Sequence, residues 1–113
     1  MRAGDLYVAE LGPRGERGCE QGGVRPVMIV HSDEFRFVPN LALACPITTR
    51  RRDVPNHVAL LRDETNGLHK DCFVMTEQVR AIDRRFLLAP IGAVGPAVLD
   101  RVLMILKDHL LAA

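Results

Sequence analysis

A change in hydrophobic period along the chain is the feature that most constrains its fold. The first part of the chain contains short apolar stretches with β-branched residues and polar alternation, which are typical of strands. These predicted strands cover residues 6–11, 24–31, 41–48, 57–62 and 71–79. After residue 82 the period changes from two to that of a helix. The pattern predicts a mostly β or α+β domain, built as a small curved sheet or partly open barrel with a C-terminal helix.

The predicted C-terminal helix has a clear start and a wide apolar surface. Gly95 precedes Pro96, and proline is favoured at the first helical position because its missing N–H would be unpaired there anyway. Met104 and Ile105 widen the apolar stripe beyond what one sheet face needs. The helix therefore contacts a second subunit or is buried within its own chain. The stripe itself consists of Val98, Leu99, Val102, Leu103, Leu106 and Leu110.

Length and composition indicate one globular domain that spans residues 1–113. Hydrophobic residues make up 48% of the chain and charged residues 26%, as in ordinary globular proteins. Fifteen cations and fourteen anions leave a net charge of +1, so no strong overall field indicates a nucleic-acid or membrane partner. Cys19, Cys45 and Cys72 are widely spaced, and the latter two lie in apolar strands where we expect them in the core. This cysteine usage, without a signal-peptide pattern or membrane-length apolar run, predicts a cytoplasmic protein.

Loops and breakers divide the predicted strands. Residues 12–23 contain five of the nine glycines and little apolar surface, which predicts a mobile loop. Residues 49–56 are polar and include three successive arginines, which form a solvated face or a segment that contacts phosphates. Pro46 indicates that the third strand is an edge strand or has a bulge, since proline lacks the N–H that a central ladder requires. Asn66-Gly67 predicts a turn between the last two strands.

The residues that carry chemistry converge on two places where a strand meets a loop. Residues 20–26 combine a carboxylate, an amide and a guanidinium around two glycines, and residues 46–52 combine two threonines with three arginines. Phosphoryl transfer without a metal needs donors that stabilise charge on the phosphate oxygens, and arginine supplies them. The four histidines are scattered and the common metal and nucleotide motifs are missing, which favours metal-free chemistry. A surface ion pair is the alternative role for Arg25.

Five short segments occur in an informative order along the chain. They are Gly4-Asp5-Leu6-Tyr7, Glu20-Gln21-Gly22-Gly23-Val24-Arg25-Pro26-Val27, Pro46-Ile47-Thr48-Thr49, Pro55-Asn56-His57-Val58 and Glu77-Gln78-Val79-Arg80-Ala81-Ile82-Asp83. Together they resemble the MazF/PemK family of toxin endoribonucleases. The resemblance implies a small SH3-like barrel of the CcdB/PemK type with a C-terminal helix, a homodimer and a cognate antitoxin. It also implies single-stranded RNA cleavage by 2′-OH attack, with 2′,3′-cyclic phosphate and 5′-OH ends and no metal or other cofactor.

The same resemblance assigns candidate site residues in this chain. Arg25 matches the catalytic arginine and would stabilise charge on the phosphate, while Thr48 would hydrogen-bond a phosphate oxygen. Glu20 matches a position proposed as the general base, with a solvated loop residue as the alternative. Candidate RNA contacts are Gln21, Thr49, Arg50, His57, Gln78 and Arg80. For the last three of these residues, structural support is the alternative role.

Two other functions stay open from the sequence. One is a non-catalytic CcdB-like toxin that binds a protein such as gyrase, and the other is a decayed toxin that binds only its antitoxin. The intact pair of Arg25 and Thr48 favours the ribonuclease. Residues 31–40 depart from the family pattern, so the cleaved sequence and the RNA class are left open. Because aromatic residues make up only 4% of the chain, RNA recognition is expected to rely on hydrogen bonds and arginine contacts.

Overall fold

Seven antiparallel strands and a C-terminal helix make up the part of the chain that the computed structural model describes, residues 1–13, 22–32 and 40–110. The strands are β1 (Asp5–Glu10), β2 (Val24–Ile29), β3 (Leu41–Thr48), β4 (His57–Leu60), β5 (Cys72–Met75), β6 (Arg80–Asp83) and β7 (Leu87–Ala93). Their order in the sheet is β4-β5-β3-β2-β1-β7, and β6 pairs with β3 outside this path. Helix α1 (Pro96–Ile105) follows and continues as a π-helical turn, Leu106–Leu110. This mostly β, barrel-like sheet with a terminal helix confirms the predicted fold class.

Strand β3 lies in the middle of the sheet, so the prediction of an edge strand or bulge at Pro46 was wrong. The carbonyl oxygen of Leu43 accepts a hydrogen bond from the Val30 N–H on the β2 side (3.0 Å). Because backbone polar groups alternate sides along a strand, the nitrogen of Pro46 faces away from β2. On that side β6 stops pairing at Ala44 and β5 starts at Ile47. The missing proline N–H therefore falls in the gap between two partner strands.

Strand β7 was not predicted, because the sequence indicated a helical period after residue 82. It pairs with β1 from Asp5↔Ala93 to Ala9↔Leu87, and the register shifts twice along that ladder. Each shift moves the following side chains to the other face, which removes the simple alternation that marks a strand in a sequence. Predicted residues 71–79 likewise divide into β5 and a 3₁₀ turn, Thr76–Gln78, before β6 begins.

Helix α1 covers the larger of two apolar clusters on the sheet. Val102 and Ile105 are buried, as is Leu106 just beyond the helix, and they pack with core residues of the strands. The helix begins at Pro96 after Gly95, as predicted. Ile105 therefore belongs to the core of its own chain, whereas the Met104 side chain on the same helix is 37% exposed. The smaller cluster consists of Ala9, Leu11, Val27, Ile29, Ala42, Ala44 and Ile82.

The two cysteines that the structure describes are buried thiols, which confirms their predicted place in the core. Burial, with a smaller contribution from the charge of Glu77, raises the pKa of Cys45 to about 12. Burial also raises the pKa of Cys72. Since the thiolate is the reactive form of cysteine, burial makes both thiols less reactive than an exposed one. Cys19 lies outside the described residues.

Helices in the described part of the chain are too short or too polar to cross a lipid bilayer.

Candidate active site

A fork between β2 and β3 creates the site. The two strands pair from Ile29↔Ala44 to Val27↔Pro46, and then β3 turns away to pair with β5 through Ile47 and Thr48. If the β2–β3 register continued, Thr48 would lie directly opposite Arg25. The separation of the strands thus leaves a cleft of about 440 Å³ between these two positions. The cleft is lined by Val24, Arg25, Pro26, Ile47, Thr48, Thr49, Arg50, Arg52 and Met75.

The charge of this cleft is strongly positive. Three arginines, Arg25, Arg50 and Arg52, contribute to its lining, and none of the described residues that line it is acidic. The chain as a whole has a net charge of only +1, so the cations are concentrated locally. Guanidinium groups present donors in a fixed fork that fits phosphate oxygens. The cleft is therefore suited to a phosphate-containing ligand.

The Arg25 side chain is anchored to the backbone just before β2. Its Nε donates a hydrogen bond to the carbonyl oxygen of Gly22, at 3.1 Å, and the residue is partly buried. This bond restrains the plane of the guanidinium at the mouth of the cleft. The same short segment is closed by backbone bonds from Gly23 N–H to Gly12 O (2.6 Å) and from Leu11 N–H to Gly23 O (2.9 Å). These bonds join the two ends of the predicted glycine-rich loop.

Thr48 ends β3 with its hydroxyl oriented by the following turn. Its Oγ1 accepts a hydrogen bond from the backbone N–H of Arg50 at 3.1 Å. This bond engages a lone pair of the oxygen and does not involve the hydroxyl hydrogen, which can donate to an anion. Thr49 and Arg50 follow at exposed positions on the rim. The structure therefore brings together four of the predicted site residues, Arg25, Thr48, Thr49 and Arg50.

The three successive arginines do not share one environment. Arg50 and Arg52 line the cleft, whereas Arg51 Nε lies 3.8 Å from Asp53 Oδ1 in a highly exposed ion pair. The sequence analysis treated the whole run as a solvated face or a phosphate-contacting segment and named Arg50 alone as a site residue. Strand alternation does not separate Arg51 from Arg52, because the chain bends at positions 49 and 50 and the run is not part of a strand.

Predicted residue His57 lies next to the cleft, and its buried side chain belongs to a polar cluster whose other members reach the surface. Its side chain is 3% exposed, and its Nε2 donates to the Glu77 carboxylate at 2.7 Å. Asn56 Nδ2 donates to the other oxygen of Glu77 at 3.1 Å, and Thr76 Oγ1 donates to the Asn56 carbonyl at 2.6 Å. These bonds attach the start of β4 to the turn after β5. Met75, the last residue of β5, lines the cleft. The geometry favours structural support for His57, and direct RNA contact stays a prediction that requires this cluster to open.

The remaining predicted residues fall elsewhere. Gln78 is half-buried in the turn before β6, and Arg80 pairs in register with Ala44. Arg80 lines a second cleft of about 370 Å³ together with Glu10 and Phe86, apart from the fork. Glu20 and Gln21 lie outside the described residues. Within residues 1–13, 22–32 and 40–110, no three His, Cys, Asp or Glu side chains come together as a metal-ligand group.

Fold and cleft together define a class of small β-sheet protein with an arginine-rich cleft at a strand fork. A model of the family described as PemK-like, MazF-like toxin of type II toxin–antitoxin system matches residues 2–110. The chain belongs to this family, which confirms the resemblance seen in its motifs.

Individual relatives agree with this assignment. The endoribonuclease MazF of Staphylococcus saprophyticus is 36% identical over 89 residues, which cover 77% of this chain and 72% of that protein. The crystal structure of MazF from Deinococcus radiodurans superposes with a TM-score of 0.75 at 28% identity, and 95% of this chain and 96% of that one are covered. A MazE–MazF structure from the same organism gives a TM-score of 0.70 at 28% identity, with 96% of each chain covered. The fold is thus that of solved MazF proteins.

Proposed function

We propose that this protein is the endoribonuclease toxin of a type II toxin–antitoxin system and acts in the cytoplasm as a single domain, residues 1–113. The observation that carries the proposal is the cleft at the fork, which Arg25 and Thr48 line together with further arginines. Membership of the toxin family and the similarity to an endoribonuclease MazF support the same activity.

The proposed reaction is an internal transesterification of RNA. The ribose 2′-OH attacks the adjacent phosphorus, the bond from phosphorus to the 5′ oxygen breaks, and the products carry a 2′,3′-cyclic phosphate and a 5′-OH. Arg25 stabilises the negative charge that grows on the non-bridging oxygens, and the Thr48 hydroxyl donates to one of them. A guanidinium pKa above about 12 makes arginine a poor proton donor, so the role of Arg25 is electrostatic. Glu20 is the proposed acceptor of the 2′-OH proton, and the leaving 5′ oxygen takes up a proton from water to give the 5′-OH.

A nucleotide fits this cleft better than a small inorganic anion does. Its lining also includes the apolar side chains of Val24, Pro26, Ile47 and Met75 beside the polar and cationic residues. Val24 is 60% exposed and leaves apolar surface open at the cleft. A ribose or base can cover this apolar surface while the arginines hold the phosphate. The presence of apolar and cationic groups in one cleft therefore supports an RNA substrate.

The activity is tested by incubating the purified protein with a long, mixed-sequence single-stranded RNA in excess EDTA. We expect discrete fragments that end in cyclic phosphate, because the reaction draws its charge stabilisation from arginine and needs no metal. Once the cleaved sequence is known, an oligonucleotide with a single 2′-deoxyribose at the cleaved position serves as the control and should resist cleavage. A complete lack of cleavage in EDTA contradicts the proposal and favours a toxin that binds a protein target.

We propose that a cognate antitoxin and a second toxin subunit are the protein partners. Family membership supports the antitoxin, and the partly exposed Met104 and Leu110 on the outer side of the C-terminal helical region support the homodimer. An acidic antitoxin segment is expected to occupy the arginine cleft and to compete with RNA. Sedimentation at micromolar concentration should show a dimer, and titration with antitoxin should weaken RNA binding. A monomer, or simultaneous binding without mutual weakening, contradicts the respective proposal.

A further inference from the structure

We propose that Arg52 forms a second phosphate subsite, which binds a phosphate of the RNA next to the one that reacts. This inference rests on the proposed ribonuclease function of the same cleft. The arginines of the cleft then have different roles. Arg25 stabilises charge on the reacting phosphate, and Arg52 binds the RNA through the next phosphate. The subsite takes a phosphodiester without regard to the base that it carries.

The different environments of Arg51 and Arg52 are the first observation that supports this subsite. Arg51 turns to Asp53 on the outside, with side chains 81% and 95% exposed. Arg52 is the next residue, yet it lines the cleft that contains Arg25 and Thr48. If the three arginines only kept the surface solvated, all of them would be expected to point into solvent as Arg51 does. Arg50 and Arg52 instead line the cleft.

The position of Arg52 along the chain is the second observation. The bond from Arg50 N–H to Thr48 Oγ1 ties the start of this segment to the end of β3. Arg52 lies four residues beyond Thr48, past a bend at positions 49 and 50, and still lines the same cleft. Four residues span at most about 14 Å. Arg52 can therefore reach a neighbouring phosphate of the RNA while Thr48 contacts the reacting one.

The chemistry of the lining determines the ligand class. None of the described residues that line the cleft carries a carboxylate that could neutralise Arg52. Its guanidinium can offer two parallel donors to a phosphate, and such contacts position a nucleic acid without reading its sequence. Because this phosphate does not react, its contact is equally strong before and during the chemical step. Losing such a contact weakens substrate binding and leaves the turnover of bound substrate unchanged.

The experiment compares Arg52→Ala with Arg51→Ala as a matched control, since both variants remove one arginine from the same run. With a short RNA that the protein cleaves, we expect Arg52→Ala to raise KM by roughly tenfold with kcat unchanged, as for one charge-assisted contact. The slope of log KM against log salt should fall by about 0.7, the value for one phosphate contact on a single strand. Arg51→Ala should match the wild-type protein in both measurements.

Substrate length provides a second readout. The wild-type protein should bind a cleavable dinucleotide more weakly than the same dinucleotide extended by one nucleotide, and the 5′ and 3′ extensions show on which side the subsite lies. For the Arg52→Ala variant, the extended RNA should bind no more tightly than the dinucleotide. Equal effects of Arg51→Ala and Arg52→Ala, or a fall in kcat at constant KM, would overturn the subsite while the wild-type cleavage upholds the proposed function. If the wild-type protein cleaves no RNA, both proposals fail.

Discussion

Arg25→Ala is expected to lower kcat/KM for RNA cleavage by about 10²–10³-fold, the usual cost of removing one donor that stabilises a charged transition state. The guanidinium at this position is restrained by its Nε bond to the Gly22 carbonyl, and Arg25 lines the same cleft as Thr48. Arg25→Lys keeps the positive charge but loses both the forked donor geometry and the Nε bond. We therefore expect the lysine variant to recover only a small part of the lost activity.

The measurement is single-turnover cleavage of the RNA in EDTA, with fragment ends mapped for each variant. Arg51→Ala is the control, because it removes a cation of the same surface outside the cleft. Arg25 is partly exposed, so thermal unfolding of all three variants should stay close to that of the wild-type protein. Cleavage by Arg25→Ala at the wild-type rate would remove Arg25 from the catalytic role.

Asn66→Ala is expected to cause a large loss of stability for a polar substitution, roughly 3 kcal/mol. Asn66 is fully buried, and its side chain pairs three backbone groups of its own turn. Oδ1 accepts from the N–H groups of Asp63 (3.1 Å) and Leu68 (3.0 Å), and Nδ2 donates to the carbonyl of Leu61 (2.8 Å). Alanine leaves these groups without their partner in a partly buried turn, where an unpaired group costs about 1–3 kcal/mol.

Thermal unfolding followed by circular dichroism checks this effect, which corresponds to a fall in Tm of roughly 10–20 °C for a domain of this size. Asn56→Ala is the matched control, because the Asn56 side chain makes one exposed bond to Glu77 and its loss should cost less than about 1 kcal/mol. The Asn66 turn does not line the arginine cleft, so Asn66→Ala should still cleave RNA well below its Tm. Equal Tm values for the two variants would contradict the assigned role of Asn66.

The turn at Asn66 shows how far sequence reasoning reaches. Asn66-Gly67 was predicted as a turn from composition alone, and Gly67 does adopt a positive φ of 68°. The sequence did not reveal that the turn packs against β7. A Cβ on Gly92 would lie 2.3 Å from the Thr65 carbonyl oxygen, so the two backbones touch there. Such contacts join residues far apart in the chain, and local composition carries no signal for them.

For the candidate site as well, the sequence predicted some features and only the structure revealed others. Arg25 and Thr48 were assigned because their motifs resemble a family, and the fork between β2 and β3 brings them into one cleft. His57 was assigned from a motif as well, yet it is buried against Glu77. The motif at positions 55–58 thus coincides with a structural cluster beside the cleft. A motif shared with a family therefore does not show whether a residue contacts the substrate or supports the fold.

By itself, the sequence determined the strand-rich architecture, the terminal helix and the two segments that supply arginine and threonine, because these follow from local periodicity and from short motifs. Only the tertiary structure decided that β3 leaves β2 after Pro46, and hence that a cleft exists at all. It also decided that Arg52 faces this cleft and Arg51 faces solvent. The physical reason is that strand partners and side-chain directions depend on pairings between distant segments, and each pairing is chosen by the packing of the whole sheet.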